Sequence, residues 1–171
     1  MERIAQGSEA ALAELLSRYW TPLLRFAFRY LDDADAAEDV VQEAFSRVWL
    51  HRDRWHSGGT PSGYLYRIVR NLAIHEQEKR KVRSRWNREQ RLRVGEEACQ
   101  EPDSGDEVRS ALEAAVAALP ARRRDVFILG GLHGLPYKEI AEVMGISAQT
   151  VANQMSAALR QLREALAEYR P

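Results

Sequence analysis

The sequence predicts an all-α protein built from two small helical domains joined by an acidic linker. Apolar residues recur at helical spacing along most of the chain. Residues 95–106 are rich in Gly, Pro, Glu and Asp and nearly lack apolar side chains, as expected of a charged, self-repelling linker. Residues 135–166 follow the pattern of two helices joined by a tight turn. We therefore expect domains at residues 1–94 and 107–171.

The first two helices are predicted to form a pair. Ser8 suits the N-cap of the first helix. Its apolar face consists of Leu12, Leu15, Leu16 and Tyr19. We expect a second helix to start at Pro22, because proline is favoured in a first turn and disfavoured in a helix interior. Asp32 and Asp33 then close this helix and open the third, where acidic side chains suit the helix dipole.

The third helix, predicted over residues 34–50, has the most regular pattern. Its apolar residues follow the i, i+3, i+4 spacing of a buried stripe: Ala37, Val40, Val41, Ala44, Phe45 and Val48. The opposite face holds Glu38, Asp39, Gln42, Glu43 and Ser46. On composition alone, this polar face is an ordinary solvated surface.

The fourth helix is predicted to start near Ser62, after a loop over residues 51–61. Trp55 in that loop either folds onto a core or awaits a partner. The inward face of this helix is expected to hold Leu65, Ile68, Val69 and Leu72. The residues expected on its outward face are Arg67, Arg70, Asn71 and Ile74. Between Arg67 and Val94 there are 10 basic and 3 acidic residues, a surplus of +7. With Trp86 interleaved, this basic run favours nucleic-acid binding over a merely solvated surface.

The C-terminal domain is predicted to begin with a helix over residues 107–119, and Pro120 starts the next one. Arg122, Arg123 and Arg124 fall in the first turn of that second helix, where cations oppose the helix dipole. An anionic partner such as a phosphate would offset this placement. Three solvated arginines are the alternative.

The last two helices are predicted to form a helix-turn-helix. Pro136 suits a first turn, Gly145 a left-handed helix end, and Ser147 the cap of the following helix. The apolar stripe of that helix consists of Val151, Met155, Leu159, Leu162 and Leu166. Such a helix is suited to enter a DNA major groove. A purely structural helical hairpin is the alternative.

Several classes of protein are disfavoured. Lys+Arg and Asp+Glu each total 25, so the net charge indicates no partner. The single cysteine, Cys99, excludes an internal disulfide, and we interpret it as incidental rather than a redox sensor. The histidines lack metal-ligand spacing and no nucleophile has a base beside it, so we expect no enzyme, cofactor or metal. The absence of a signal peptide or membrane-length apolar run predicts a cytoplasmic protein without membrane insertion.

Three motifs, taken in order, resemble the extracytoplasmic-function (ECF) sigma factors, the smallest sigma subunits of bacterial RNA polymerase. Residues 35–45 read Asp-Ala-Ala-Glu-Asp-Val-Val-Gln-Glu-Ala-Phe, and residues 64–73 read Tyr-Leu-Tyr-Arg-Ile-Val-Arg-Asn-Leu-Ala. The third runs from Ala-Leu-Pro at 118–120 to Gly-Leu-Pro-Tyr-Lys-Glu-Ile-Ala at 134–141. The resemblance covers nearly the whole chain. It implies a sigma region 2-like N-terminal bundle and a sigma region 4-like C-terminal helix-turn-helix.

The resemblance implies two roles for the N-terminal domain. Its polar face would dock on the clamp helices of the largest polymerase subunit through Asp39, Gln42, Glu43 and Ser46. The domain would also capture a base flipped from the downstream (minus-10) promoter element and hold the opening duplex. The residues implied are Trp55, Tyr64, Arg67, Arg70, Asn71, Lys79 and Arg80. An aromatic ring stacks on an unpaired base and an amide recognises its edge.

The C-terminal domain would recognise the upstream (minus-35) element. The residues implied are Arg123, Arg124, Tyr137, Lys138, Gln149, Thr150, Asn153, Gln154 and Arg160. Many family members have Lys or Arg just after the Thr-Val of the last helix, where this chain has Ala152, Asn153 and Gln154. Amides pair with adenine, so we expect base recognition with few phosphate contacts from this helix.

The partners implied are core RNA polymerase, promoter DNA and an anti-sigma factor. On the polymerase they are the clamp helices and the flap of the second-largest subunit. A stand-alone helix-turn-helix repressor or activator is an alternative, but it leaves Trp55, Asn71 and the polar face of the third helix without a function. An interaction protein with a degenerate sigma-like fold is a further alternative, since the last helix is only weakly basic.

Overall fold

The computed structural model describes residues 1–54, 59–90 and 107–169, with side chains described for residues 1–53, 59–81 and 109–168. Contacts divide the chain into two compact units, Met1–Leu92 and Arg93–Pro171. Every regular element within the described ranges is helical, which confirms the predicted fold class. The expected linker over residues 95–106, with Cys99, and the loop residue Trp55 lie outside the described residues.

Within residues 1–54 and 59–90, the N-terminal unit contains four α-helices and one short 3₁₀ turn. They are α1 (Glu2–Ala5), α2 (Glu9–Leu31), α3 (Ala34–Leu50), the 3₁₀ turn Arg52–Arg54 and α4 (Pro61–Gln90). The predicted limits of α3 are those observed. The caps also agree with the sequence: Ser8 Oγ accepts from the Ala11 N–H at 3.3 Å, and Asp33 Oδ1 accepts from the Ala36 N–H at 2.9 Å. Between them, Asp32 ends α2 in the left-handed conformation, with φ 49°.

The predicted break at Pro22 is wrong, because α2 continues through this residue as one helix of 23 residues. Proline removes one backbone hydrogen bond from a helix interior. The apolar face runs on past it, however, and Leu23, Phe26 and Ala27 are each fully buried. Burial of this face offsets the local loss, since tertiary packing supplies most of the stability of helices in proteins.

The core of the N-terminal unit lies where α2, α3 and α4 pack against one another. Phe26 of α2 lies near its centre and makes edge-to-face contacts with Tyr30 at 5.3 Å and Tyr66 at 5.1 Å between ring centroids. Burial raises the pKa of the Tyr66 phenol above its usual range. From α3, the whole predicted apolar stripe is buried, which leaves the opposite face of that helix in solvent.

The described part of the C-terminal unit, residues 107–169, contains four more α-helices. They are α5 (Glu107–Ala117), α6 (Ala121–Phe127), α7 (Tyr137–Met144) and α8 (Ala148–Ala165). A π-helical turn, Ile128–Leu132, continues α6, and a 3₁₀ turn, Ala167–Tyr169, follows α8. The sequence does not predict the π-helical turn, because its consecutive glycines resemble an ordinary helix end.

The turn between α7 and α8 has the predicted chemistry. Gly145 ends α7 in the left-handed conformation, with φ 64°, and the Ile146 N–H donates to the Ala141 carbonyl at 3.1 Å. Ser147 Oγ then accepts from the Thr150 N–H at 3.0 Å. These contacts hold α7 and α8 as a helix-turn-helix.

Two members of the predicted apolar stripe of α8 are not buried, since Leu159 is 37% exposed and Leu166, just past the end of the helix, is only half-buried. At about 100° per residue, Leu159 lies about 80° round the helix from Val151, whereas Ala158 and Leu162 lie within about 20° of it. Ala158 and Leu162 are buried accordingly, and they pack with Val116 and Leu119 from the start of the unit. The buried stripe is therefore narrower than the sequence pattern suggests.

Candidate polymerase and nucleic-acid interfaces

The outer face of α3 is exposed. Asp39, Gln42, Glu43 and Ser46 all lie in solvent, opposite the buried apolar stripe. Glu43 Oε1 is 2.7 Å from Arg47 Nε, and Gln42 Nε2 donates to Glu38 Oε1 at 3.3 Å. These pairs join neighbours on one helix, so they order the face without covering it. The arrangement suits a partner that offers both cations and hydrogen-bond donors.

A groove of about 420 Å³ lies between α3 and α4. Its apolar lining is Ala36, Val40 and Leu72, and its charged lining includes Asp39, Glu43, Arg47, Glu76, Lys79 and Arg80. The groove therefore joins residues that the sequence assigns to two separate surfaces, one for polymerase and one for DNA. Sequence spacing does not indicate this juxtaposition, because it depends on how the two helices pack.

The exposed face of α4 brings together an aromatic ring, a cation and an amide. The Arg67 guanidinium lies over the Tyr64 ring, 5.7 Å from its centroid. Asn71, one helical turn beyond Arg67, is exposed, whereas Arg70 is half-buried. An aromatic ring backed by a cation can stack on a base, and an amide can recognise a base edge. Trp55, predicted to complete this group, lies outside the described residues.

The two basic residues farther along α4 have carboxylate neighbours. Lys79 Nζ is 3.9 Å from Glu76 Oε2, and Arg80 Nη1 is 3.0 Å from Asp33 Oδ2. Lys79 is the more exposed of the two. Arg80 also contacts Glu76 Oε1 through Nε at 3.4 Å. The predicted phosphate-binding pair is therefore unequal, with one exposed ammonium and one guanidinium held by two carboxylates.

The arginines of α6 make contacts within the C-terminal unit. Arg123 Nη1 donates to Gln161 Oε1 on α8 at 2.9 Å. Arg124 Nη2 donates to the carbonyls of Ala117 and Leu119, the latter at 2.9 Å. Arg124 thus caps the C-terminal end of α5, where the last carbonyls of a helix lack internal partners.

Arg122 is the exposed member of this arginine run. The resemblance does not assign it a minus-35 contact, although the sequence pattern groups it with Arg123 and Arg124 as a candidate to bind an anionic partner. Three consecutive arginines look alike in a sequence. The distinction between them arises from tertiary contacts, one of which spans 38 positions. No local sequence pattern could therefore have distinguished Arg122, as the exposed arginine, from Arg123 and Arg124.

The exposed surface of the helix-turn-helix contains most of the predicted upstream contacts. Tyr137, Lys138, Gln149, Thr150, Asn153 and Arg160 are exposed, and Gln154 is half-buried. Gln149 Nε2 donates to Asn153 Oδ1 at 3.1 Å. The Thr150 hydroxyl lies 2.8 Å from the Ser147 hydroxyl. The start of α8 therefore presents an amide pair and a hydroxyl, the groups that recognise base edges in a major groove.

Metal binding and membrane spanning find no support in the described part of the chain. Its His, Cys, Asp and Glu side chains form no group of three suited to hold a metal ion. None of its helices is both long and apolar enough to cross a membrane.

Two known protein families match the chain in order. The family Sigma-70 region 2 matches residues 15–85, and the family Sigma-70, region 4 matches residues 109–162. The first match lies in the N-terminal unit and the second in the C-terminal unit. Together they include all of α3 and α7 and most of α4 and α8.

Two curated relatives are similar over almost their full length. The chain is 32% identical over 171 aligned positions to the ECF RNA polymerase sigma factor SigL of Mycobacterium tuberculosis strain H37Rv, covering 96% of this chain and 94% of the relative. It is 25% identical over 176 positions to the ECF RNA polymerase sigma factor SigW of Bacillus subtilis strain 168, covering 97% and 94%.

Solved structures share the fold. The sigma factor RpoE, in a co-crystal structure with the anti-sigma factor NepR from Bartonella quintana, matches with a TM-score of 0.68 at 25% identity, covering 92% of this chain and 98% of that one. CnrH, in complex with the cytosolic domain of CnrY, matches with a TM-score of 0.70 at 21% identity, covering 99% and 96%. At 21% identity, the second likeness concerns the fold alone.

Proposed function

Because this chain belongs to the ECF RNA polymerase sigma factors, we propose that its two units divide polymerase docking and promoter recognition between them. As a sigma factor, the protein binds core RNA polymerase and directs promoter-specific transcription initiation. The proposal assigns these tasks to particular surfaces. It also places the protein in the cytoplasm, because promoter DNA and core polymerase are there.

The outer face of α3 docks on the clamp helices of the largest polymerase subunit. The observation that carries this assignment is the exposure of Asp39, Gln42, Glu43 and Ser46 opposite a buried stripe. A partner can bind all four side chains without disturbing the core. Two carboxylates beside an amide and a hydroxyl suit a basic, hydrogen-bonding helix surface. The C-terminal unit docks on the flap of the second-largest subunit.

The exposed face of α4 captures an unpaired base of the minus-10 element. Arg67 makes a cation–π contact with Tyr64, and Asn71 lies exposed on the same side of the helix, since these positions are separated by three and four residues. Trp55 supplies a second stacking surface, and Arg70 and Lys79 contact phosphates. Such a group favours a single strand over a closed duplex, because stacking requires an accessible base face.

The helix-turn-helix binds the minus-35 element with the start of α8 in the major groove. Gln149, Thr150, Asn153 and Gln154 contact base edges. Tyr137, Lys138 and Arg160 contact the backbone. Arg123 contributes by holding α8 through Gln161 and Arg124 by capping α5, so their effect on DNA binding is indirect.

An anti-sigma factor is the fourth partner in the proposal. The supporting observation is the likeness to RpoE, which was crystallised with the anti-sigma factor NepR. Such a protein would regulate initiation by competing with the polymerase for this chain. Copurification from cells of the source organism, with and without added core polymerase, tests whether a second protein is displaced.

Strand opening tests the division of tasks. Holoenzyme containing Asn71→Ala or Trp55→Ala should bind polymerase and the minus-35 element normally but open the promoter about tenfold less, since the loss of one stacking or edge contact is worth about 1–3 kcal/mol. Permanganate footprinting of unpaired thymines measures the opening. A template melted beforehand at the minus-10 element should partly restore transcription. Normal opening by both variants would remove the base pocket from the proposal.

Docking needs a separate test. An Asp39→Arg, Glu43→Arg variant should keep its melting temperature, because surface changes usually alter stability by at most about 0.5 kcal/mol. Its affinity for core polymerase should fall sharply. A Glu14→Arg variant, altered on the exposed surface of α2 and outside the proposed contact set, is the control. Equal polymerase binding by the double variant and the parent would contradict the assignment of this face.

A further inference from the structure

Arg80 lies where three helices of the N-terminal unit meet. Its Nη1 donates to Asp33 Oδ2 at 3.0 Å, and its Nε donates to Glu76 Oε1 at 3.4 Å. Asp33 is also the N-cap of α3, because its other oxygen accepts from the Ala36 N–H at 2.9 Å. One carboxylate therefore begins α3 with one oxygen and binds α4 with the other.

A second contact on the same turn of α4 holds the end of α2. Gln77 Nε2 donates to the Tyr30 carbonyl at 2.9 Å, in the last turn of α2. The next residue but one beyond Tyr30 is Asp32, whose left-handed conformation turns the chain from α2 into α3. Residues 76–80 of α4 therefore contact the end of α2 through Gln77 and the start of α3 through Arg80.

We propose that Arg80 is a positioning residue that fixes the start of α3 through Asp33, and is not a ligand for promoter phosphate. Asp39, the first residue of the docking face, lies about 9 Å along α3 from Asp33, so a shift at the cap reaches it directly. The proposal rests on the docking of α3 on the polymerase. Under this proposal, Arg80 affects the affinity for polymerase, whereas the family resemblance assigns it to DNA binding.

The geometry favours positioning over phosphate binding. A planar guanidinium can bind two carboxylates in fixed directions, which an ammonium cannot do. A phosphate would have to compete with two carboxylates for Arg80, whereas Lys79 nearby is more exposed and makes one long contact. The side chains of Arg80 and Asp33 are 39% and 38% exposed, so solvent weakens their attraction. Arg80 therefore acts mainly by orientation.

Four single variants distinguish the two roles. Arg80→Ala removes both contacts, and Arg80→Lys keeps the charge but loses the fork. Asp33→Asn keeps an oxygen for the α3 cap and removes the negative charge. Lys79→Ala removes the neighbouring cation, which is proposed to bind phosphate. Each is assayed as the full chain for affinity to core polymerase, and as holoenzyme for promoter binding over a range of salt concentrations.

Positioning predicts that Arg80→Ala and Asp33→Asn each weaken polymerase binding by about threefold, a modest change because the pair is half-exposed. Arg80→Lys should show much of the same loss. The Arg80→Ala, Asp33→Asn double variant should be no weaker than Arg80→Ala alone, since both single changes remove the same Arg80–Asp33 contact. The single variants Arg80→Ala, Arg80→Lys and Asp33→Asn should leave the dependence of promoter binding on salt unchanged. Lys79→Ala, by contrast, should reduce the slope of that dependence by about one unit.

Phosphate binding predicts the opposite pattern. Arg80→Ala would then reduce the salt slope by about one unit, Arg80→Lys would behave like the parent, and Asp33→Asn would have no effect on promoter binding. That result would overturn the proposal, as would parental polymerase affinity in both Arg80→Ala and Asp33→Asn. Failure of the docking face itself is recognised separately, by normal polymerase binding of the Asp39→Arg, Glu43→Arg variant.

Discussion

Gly130 in the π-helical turn lies directly beneath the side chain of Met155 in α8. A Cβ atom at Gly130 would be 2.5 Å from Met155 Cε and 3.1 Å from Ile140 Cδ1. Ile140 belongs to α7, and both apolar side chains are buried. The turn thus offers a surface without a side chain, against which both helices of the helix-turn-helix pack.

This relationship predicts that enlarging Gly130 destabilises the C-terminal unit. Gly130→Val should cost about 1–3 kcal/mol of unfolding free energy, as overpacking usually does. Met155→Ala alone should also destabilise, because it leaves a cavity, but the double variant should lose less than the sum of the two. Chemical denaturation of all four proteins measures the coupling. Strictly additive losses would show that the two positions do not compete for space.

Gly145 offers a matched case without crowding. It has φ 64°, and a Cβ atom added there would meet no heavy atom within 4 Å, so only its backbone conformation matters. Gly145→Ala should cost about 1 kcal/mol, while Gly145→Asn should cost less, because Asn tolerates the left-handed region. Thermal denaturation of both variants measures this difference. An equal cost for Asn and Ala would contradict the conformational explanation.

The extent of agreement between sequence and structure depends on how local each interaction is. The limits of α3 and the cap at Ser147 were predictable, because helical periodicity and capping act within a few residues. Pro22 was misjudged, since the burial of residues beyond it outweighs a lost hydrogen bond. The assignments of Arg80 and Arg124 as DNA contacts stay predictions. A sequence shows their charge but not the distant groups that they contact in the structure, here Asp33 and the end of α5.

Two arginines of α6 should have different roles, with Arg124 stabilising the fold and Arg122 binding DNA. Arg124→Ala should lower stability by about 1 kcal/mol, because hydrogen bonds from a charged donor to the end of α5 are lost. Arg122→Ala, its exposed neighbour, should leave stability within about 0.5 kcal/mol of the parent. The salt slope of holoenzyme binding to the minus-35 element should be reduced, by about one unit, only in Arg122→Ala. The reverse pattern, with the salt slope reduced by Arg124→Ala alone, would contradict the capping role.

Asp33 should make stability depend on pH in the acidic range. The Ala36 N–H, followed by the Arg80 guanidinium, holds the pKa of Asp33 below its ordinary value of 3.8. A carboxyl with a depressed pKa in the folded state stabilises the protein fully above its unfolded pKa, and the stabilisation is lost as pH falls through the folded pKa. The melting temperature of the parent should thus exceed that of Asp33→Asn at neutral pH, and this difference should disappear below about pH 4. Melting temperatures from pH 7 to pH 3 measure this, and a constant difference would contradict it.

Gln149 and Asn153 should act as one unit in choosing the base at the minus-35 element. Gln149 Nε2 donates to Asn153 Oδ1 at 3.1 Å, which leaves the Gln149 oxygen to accept and the Asn153 nitrogen to donate. Adenine offers the complementary groups in the major groove, N7 as acceptor and N6 as donor. Each single alanine variant should therefore lose about 1–3 kcal/mol of preference for adenine at one position. The double variant should lose little more, because the first change already disrupts the pair.

Asn153→Asp gives the sharper test, because it replaces the outward donor by an acceptor while an oxygen remains for Gln149. The preferred base should change from adenine towards cytosine, whose N4 amino group donates in the major groove. Arg160→Ala is the control, and it should weaken binding to all sequences alike and reduce the salt slope. Binding-site selection with holoenzyme at one fixed salt concentration measures all of these preferences. If Asn153→Asp and the parent select the same sequence, the start of α8 does not determine specificity, and the exposed amide pair serves only to order the helix surface.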